Sequence, residues 1–518
     1  MQAKVGPVLC SGPTNVAVDN FAERLDRLSK SVASRCNTYH RLVIRGYRLQ
    51  DEFVAFRTLI EYPNRGEPKV PSSKWKLHLS LAYWLLVLLR SPARGLDPLP
   101  TNVSPQLLAI QQRLDKEECL RRLRDVATGR ITYADFVSTT GPLSVPKSLI
   151  LSIFESILDR ADFFCTTPAM TANEQKFMTW KNAVARGVAV DEAACMHRAD
   201  LYCVWGNTLM PLMMGGDPKQ LAPTIMTGNE KDDEEYYYHV FVQDGKISAL
   251  EYFQAMGMPV HRLNIQLRMA NGMFDTVSRF VYPEVPIRYS SPYCDVSSPK
   301  FAAGRALEEF IQDRYPNQIS PCPKDKLWPV FLHVPGQVET DNATGSKRAP
   351  GQVNAALRFI VEFTKKKNVD PKKLFILSPY KANISLIASV IKNTPEFSSL
   401  RVMEAAATVD SFQGQEGDIA VVVMGTSHPK PGPGFTGEAR RLNVMLTRSR
   451  CGLVVVGHID VGGPYEENGG LRESKGDKAF KNEKVETVDG EIAWVNIRTL
   501  QNIYGDFVQK KRVIRLAA

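Results

Sequence analysis

Short unbroken apolar runs alternate along this chain with longer stretches whose apolar residues recur at helical spacing, a succession that predicts repeated strand-loop-helix units. Val8-Leu9-Cys10 reads as a strand and Ser11 to Asn15 as a turn. From Ala17 (AVDNFAERLDRL) a helix is predicted, with Val18, Phe21, Leu25 and Leu28 apolar. Further strands are expected at Asp162-Phe163-Phe164-Cys165, Val188 to Val190 and Leu212 to Met214, then at Leu374 to Leu377, Ile419 to Val423 and Leu453 to Val456. Continuous runs of this kind suit parallel sheets covered on both faces. From about Arg48 to Arg160 the pattern turns helical and irregular, and the alternating charges of QQRLDKEECLRRLRDV read as a solvated helix face. The most apolar stretch, Trp75 to Leu89, contains Lys76, His78 and Ser80 and reads as a buried helix rather than a membrane span.

These elements predict an α/β protein with two parallel-sheet lobes. The first covers 1–257 and carries a helical insertion at about 48–160. The second covers 258–462 and is interrupted by a Pro- and Ser-rich excursion at about 282–350, and 463–518 forms a C-terminal tail. The acidic-aromatic run Asp232 to Tyr238 reads as a loop ahead of the second lobe. A strand so close to the first residue leaves an edge that expects an upstream neighbour, so the first sheet reads as N-terminally incomplete. No repeat of solenoid period is visible.

Charge changes the picture modestly. Of 518 residues, 65 are Lys or Arg and 55 Asp or Glu, a net charge of +10 that favours a polyanionic partner. The nine cysteines are scattered and never spaced C-x-x-C, as expected of reduced thiols in an intracellular protein, cytoplasmic or nuclear. The first residues lack the apolar core of a signal peptide. No membrane association is expected.

The candidate chemistry lies in the loops that follow the predicted strands. Asp191-Glu192 closes one apolar run, and Gly215-Gly216-Asp217-Pro218-Lys219-Gln220 follows another. A carboxylate such as Asp191 can hold Mg²⁺, a second such as Glu192 can orient and deprotonate a water, and Gln220 can hydrogen-bond a phosphate or that water. A DE pair opening a helix is the plain structural alternative. Read in order, the chain contains CSGPTNVAVD, VDEAA, GGDPKQLAP, LNIQLRM, ILSPYKAN, TVDSFQGQEGD and RRLNVMLTRSR. This series resembles the superfamily 1 RNA/DNA helicases of the up-frameshift and senataxin-like branch, over roughly residues 1 to 460 apart from the helical insertion and the excursion at about 282–350.

The resemblance implies two RecA-like lobes of the P-loop NTPase type, with ATP and Mg²⁺ as nucleotide and metal. It implies movement along single-stranded RNA or DNA driven by hydrolysis. It assigns metal binding to Asp191, water activation to Glu192, phosphate sensing to Gln220 and transition-state charge stabilisation to Arg268 and Arg448. Gly414 and Glu416 match positions near the nucleotide sugar. Pro13, Thr14, Asn15, Thr166 with Thr167, Pro379, Tyr380 and Thr408 match positions that grip the strand, with Tyr380 suited to stack on a base. Leu267 stands where relatives commonly carry a tyrosine against the adenine.

One departure bears on activity. No G-x-x-x-x-G-K-[ST] phosphate loop occurs in the 518 residues, and the resemblance places it before CSGPTN. Gly432 to Gly437 satisfies G-x-G-x-x-G but opens no nucleotide-binding unit and reads as a flexible loop. A helicase fragment weak or inactive alone is therefore expected. The alternative is a nucleic-acid-binding pseudo-helicase or scaffold without turnover.

Overall fold

The computed structural model describes residues 5–62, 75–92, 99, 102–140, 147–225, 230–341, 345–412, 414–472, 482–486 and 492–516. It divides the chain into unit 1, Met1–Pro218 with Ala222–Met258, and unit 2, Lys219–Leu221 with Pro259–Ala518. Gln413, within the TVDSFQGQEGD motif, lies outside the described residues.

Unit 1 is built on five parallel strands: β1 (Val8–Ser11), β2 (Val43–Arg45), β3 (Phe163–Cys165), β4 (Gly187–Val190) and β5 (Leu212–Met214), in the order β2-β3-β1-β4-β5. Strand side chains alternate between faces, and both faces here are apolar. Leu9, Ile44, Phe164, Val188 and Val190 belong to one core, which they share with the helices of the predicted insertion. Val8, Cys10, Val43, Cys165 and Ala189 belong to the other, covered by Val18 and Ala22 of the helix Asn15–Cys36. Within residues 48–160 the described helices are Leu49–Glu61, Leu81–Leu88, Pro105–Lys116, Arg121–Ala127, Tyr133–Thr140 and Lys147–Leu158. Every residue of Leu81–Leu88 is buried, and among the described residues no helix is long and apolar enough to cross a membrane.

Unit 2 contains a two-stranded ribbon of β6 (Ile265–Gln266) and β7 (Arg288–Tyr289), and antiparallel pairs of β9 (Glu339–Thr340) with β10 (Lys347–Arg348) and β15 (Asn482–Glu486) with β16 (Ile492–Asn496). Its main sheet has six parallel strands, β8 (Val330–His333), β11 (Leu374–Ser378), β12 (Ala407–Thr408), β13 (Gly417–Val423), β14 (Ser449–Gly457) and β17 (Val513–Arg515), in the order β12-β11-β13-β14-β8-β17. Helices Ala302–Arg314, Pro350–Lys366 and Arg498–Gln509 bury one stripe each in this unit.

Two sequence expectations are corrected. The excursion at 282–350 contains β8, a fully buried strand whose apolar residues are framed by prolines and lysines that mask the run. The tail is not separate either, because β17 joins the sheet beside β8. Just before β17, Arg512 is 1% exposed and donates two hydrogen bonds to Glu308, of 3.1 and 2.6 Å, and others to the carbonyls of Ser320 and Pro329. Burial alone would raise the Glu308 carboxyl pKa, but the Arg512 guanidinium outweighs it and holds the group below its usual range. Arg512→Ala strands a half-buried carboxylate and should cost about 3–5 kcal/mol of stability. Arg512→Lys should recover only part of that, since an ammonium cannot reproduce the bidentate fork. Urea unfolding of the two variants checks this ordering.

Candidate functional site

In unit 1 the loops that follow β1, β3, β4 and β5 emerge at one edge of the sheet, because all the strands run the same way. Asp191 follows β4, and its amide donates to Ser11 O at the end of β1 (2.9 Å). Burial pushes the Asp191 carboxyl pKa upward, and the Glu192 N–H bonded to Oδ1 at 3.0 Å offsets part of that. Glu192 sits in the left-handed region, at φ 53 and ψ 37. The turn is close-packed against the β5 loop: Ala193 N–H donates to Gly215 O (2.8 Å), and a Cβ on Gly216 would lie 2.7 Å from Ala194 N. Glycine is required there. It lets the β5 loop backbone approach the Ala193 and Ala194 amides, while the neighbouring Gly215 is the glycine whose absent side chain would lie nearest Asp191 Oδ1, at 3.9 Å.

On the same edge, Thr14 caps the helix Asn15–Cys36, its Oγ1 accepting from Ala17 N–H at 3.1 Å. Asn15 Oδ1 accepts from Arg45, and Pro13 is half-buried. Thr14 and Asn15 are exposed at the start of a long helix, where free N–H groups favour an anion. Thr166 differs from expectation. It is fully buried and its hydroxyl donates to Gly46 O at 3.2 Å, so it stabilises the strand end and does not reach a ligand on the surface. Thr167 caps the next helix, its side chain accepting from Met170 N–H.

In unit 2 the candidate nucleotide residues converge on the edge where β13 and β14 begin. Arg448, 2% exposed, precedes β14; its Nη2 donates to Gln220 Oε1 at 2.7 Å and its Nε to Val444 O at 3.2 Å. Arg268 forms an ion pair with Glu416 and donates to Thr447 O at 3.5 Å. Glu416, just before β13, also pairs with Arg450 at 3.2 Å and borders a pocket of about 220 Å³ that Lys372, Lys373 and Asp418 help to line. Gly414 has φ 76, a conformation that a side chain would strain. Leu267 is 56% exposed.

Two residues here escaped the sequence reading. Arg450 follows Arg448 by two positions in LTRSR, the only signal that would have drawn attention to it. Asn443 is fully buried, and its Nδ2 donates to Lys219 O (2.8 Å) and to the Tyr282 hydroxyl (2.6 Å), fixing the backbone next to Gln220. Lys219 itself pairs with Glu284 and donates to Val281 O.

The candidate nucleic-acid residues of unit 2 lie at the opposite edge, where β11 and β12 end. Ser378 pairs with Thr408 in register, and Pro379 and Tyr380 follow directly. The Thr408 hydroxyl is engaged with Ser411 at 2.9 Å. Tyr380 corrects the expectation of base stacking: it is 2% exposed, with its ring against Phe435 and its hydroxyl accepting from Phe435 N–H at 3.3 Å. The segment Gly432 to Gly437, expected to be a flexible loop, packs as one tight turn with Gly434, Thr436 and Gly437 buried.

Among the described residues, His333, His458 and Asp460 bring ligand atoms within 4.8 Å of one another, close enough for a cation by distance. The tautomer argues against one. Ile459 N–H donates to His333 Nδ1 at 3.0 Å, which leaves the proton of the neutral ring on Nε2 and no second lone pair to give. Burial, with His458 and Arg515 nearby, holds His333 far below its ordinary value of 6.5, at about 4, and burial lowers His458 too.

Such a histidine binds its proton more readily in the unfolded chain. Stability is therefore full above about pH 6.5 and drains as pH falls towards 4, by up to ~3 kcal/mol for His333. Urea midpoints across that window should fall with pH, and His333→Gln should flatten the slope. At the other site, Glu192→Gly should be more stable than Glu192→Ala by about 1 kcal/mol, since both lose the carboxylate but only glycine tolerates the left-handed backbone without strain. Thermal melts that rank alanine above glycine would mean that this turn is not held as described.

Residues 246–460 match a family model described as an AAA domain. The chain is 30% identical over 261 residues to the DNA polymerase alpha-associated DNA helicase A of Saccharomyces cerevisiae, covering 49% of this chain and 35% of that protein. It is 30% identical over 470 residues to a Regulator of nonsense transcripts 1 homolog of Arabidopsis thaliana, covering 88% of this chain and 29% of the relative. The chain thus spans about a third of the length of either relative. The solved structure of PRRSV helicase matches 57% of this chain and 38% of its own at 15% identity, with a TM-score of 0.23, too low to bear on the argument. On its ordered motifs, its two parallel-sheet units and these relatives, the chain belongs to the superfamily 1 helicases of the up-frameshift and senataxin-like branch.

Proposed function

We propose that this chain carries the hydrolysis-sensing and strand-gripping parts of an ATP-driven motor on single-stranded RNA or DNA. The observation that supports this most directly is the hydrogen bond between Gln220 and the buried Arg448. A neutral amide and a guanidinium meet there, and both can donate to a terminal phosphate. Arg268, whose partner Glu416 lies nearer the sugar in this reading, adds a second positive charge for the transition state. In unit 1, Asp191 is the ligand for Mg²⁺, which when bound neutralises charge on the phosphates. Glu192 takes the proton of the attacking water. The exposed helix start at Thr14 and Asn15 and the strand ends at Pro379 and Thr408 contact the nucleic-acid backbone in the same reading.

No residue run in the sequence supplies the amide cradle and lysine that usually hold the β-phosphate, so turnover by this chain alone should be weak. That gap favours the second reading, a pseudo-helicase or scaffold that binds without turnover. The two separate on one assay series. A labelled single-stranded oligonucleotide should bind with an affinity that falls steeply with salt. Phosphate release from ATP should be low and strand-stimulated, and should drop at least ~100-fold in Glu192→Ala and in Arg448→Ala, with strand binding retained. Release that is undiminished in both variants removes the catalytic assignment, whereas strand binding with no release above background supports the scaffold.

A further inference from the structure

The ring expected to meet a base, Tyr380, is buried, yet it supports a ring that is not. Phe435 is 49% exposed, and its ring centroid lies 5.7 Å from that of Tyr380 with the planes inclined by 26°. The Arg441 guanidinium lies over the Phe435 ring, 4.7 Å from its centroid, and is held by Glu438 at 3.0 Å and Asp410 at 3.7 Å. Lys347 lies 5.2 Å from the Tyr380 centroid. The backbone is as constrained as the rings: Gly434 has φ 51, and a Cβ there would lie 2.5 Å from both the Tyr380 hydroxyl and Lys347 Nζ. A large apolar ring is thus fixed in the open by a tight turn, at the sheet edge where β11 and β12 end.

Burial explains Tyr380 and ion pairing explains Arg441, but neither accounts for leaving half of a phenylalanine in water, since covering it would be favourable. We infer that Phe435, with the Arg441 guanidinium, is the stacking platform for one unpaired base of a bound single strand. Aromatic rings and guanidinium planes are the groups on which unpaired bases stack, and such stacking is tolerant of base identity. The exposed Arg348, Lys381 and Lys430 in the neighbouring segments supply cations for the flanking phosphates. This inference rests on the strand-binding reading above and names the residue that contacts the base within it.

The test is fluorescence anisotropy of the full chain with a labelled single-stranded oligothymidylate, and with the same oligomer carrying abasic residues throughout. Phe435→Ala should weaken binding to the normal oligomer about 5- to 100-fold, while Phe435→Trp keeps it. The salt slope should be the same in all three proteins, because no phosphate contact has been removed. Wild type and Phe435→Ala should bind the abasic oligomer equally. Equal binding of the normal oligomer by wild type and Phe435→Ala overturns the platform and leaves strand binding intact. A loss in Phe435→Ala that persists on the abasic oligomer, or a changed salt slope, also overturns it, by showing a backbone effect. Failure of the wild type to bind any single strand removes the strand-binding reading itself, and the platform falls with it.

Discussion

A parallel sheet sealed on both faces has nowhere to put polar chemistry except at the two ends of its strands, and that constraint organises both units. In unit 1, Leu9 and Val190 lie in one core while Val8 and Ala189 lie in the other. No strand interior is free to carry a functional group, so Asp191, Thr14 and Gly216 all lie beyond strand ends. In unit 2 the same rule separates two kinds of chemistry. Glu416 and Arg448 precede their strands, whereas Pro379 and Tyr380 follow theirs. Parallel pairing therefore places these groups at opposite edges of one sheet.

Crowding at these edges is resolved by backbone choices as much as by side chains. Glycine at 216 permits an approach that any Cβ would block, and Glu192 adopts a left-handed conformation that costs stability. Electrostatics is handled by pairing. A guanidinium stays charged at any physiological pH, so a buried one must find acceptors. Arg448 finds the neutral amide of Gln220 and the Val444 carbonyl, and Arg512 finds a carboxylate. The difference is chemical, because the Gln220 amide is a neutral acceptor whereas the Glu308 carboxylate carries charge.

Much of this was legible in the residue order. The apolar runs marked strands at Val8, Val188, Leu374, Ile419 and Leu453, and the helical spacing from Ala17 marked the helix that covers one face of the first sheet. Local chemistry located the loops at Asp191 and Gly215, because a strand end followed by carboxylate or glycine has a narrow range of uses, and the motif resemblance located Glu416 and Arg448, which precede their strands. The run Val330–His333 is not legible as a strand because prolines and lysines around it dilute the apolar signal, and β17 is not because so short a strand depends on pairing with its neighbour β8.

Residue types and their order were enough to establish an α/β chain with two parallel sheets and the helicase motifs, since strand and helix periodicities are local and the motif loops are contiguous. Exposure was not readable that way. Thr166 and Tyr380 look like ligand-facing groups in the sequence, and only packing shows that one hydroxyl is spent on Gly46 and the other ring lies beneath Phe435. Arg450 and Asn443 acquire roles only through partners distant in the chain, at Glu416 and Lys219. Burial and pairing depend on which segments meet, and the meeting of segments is what tertiary structure adds to local pattern.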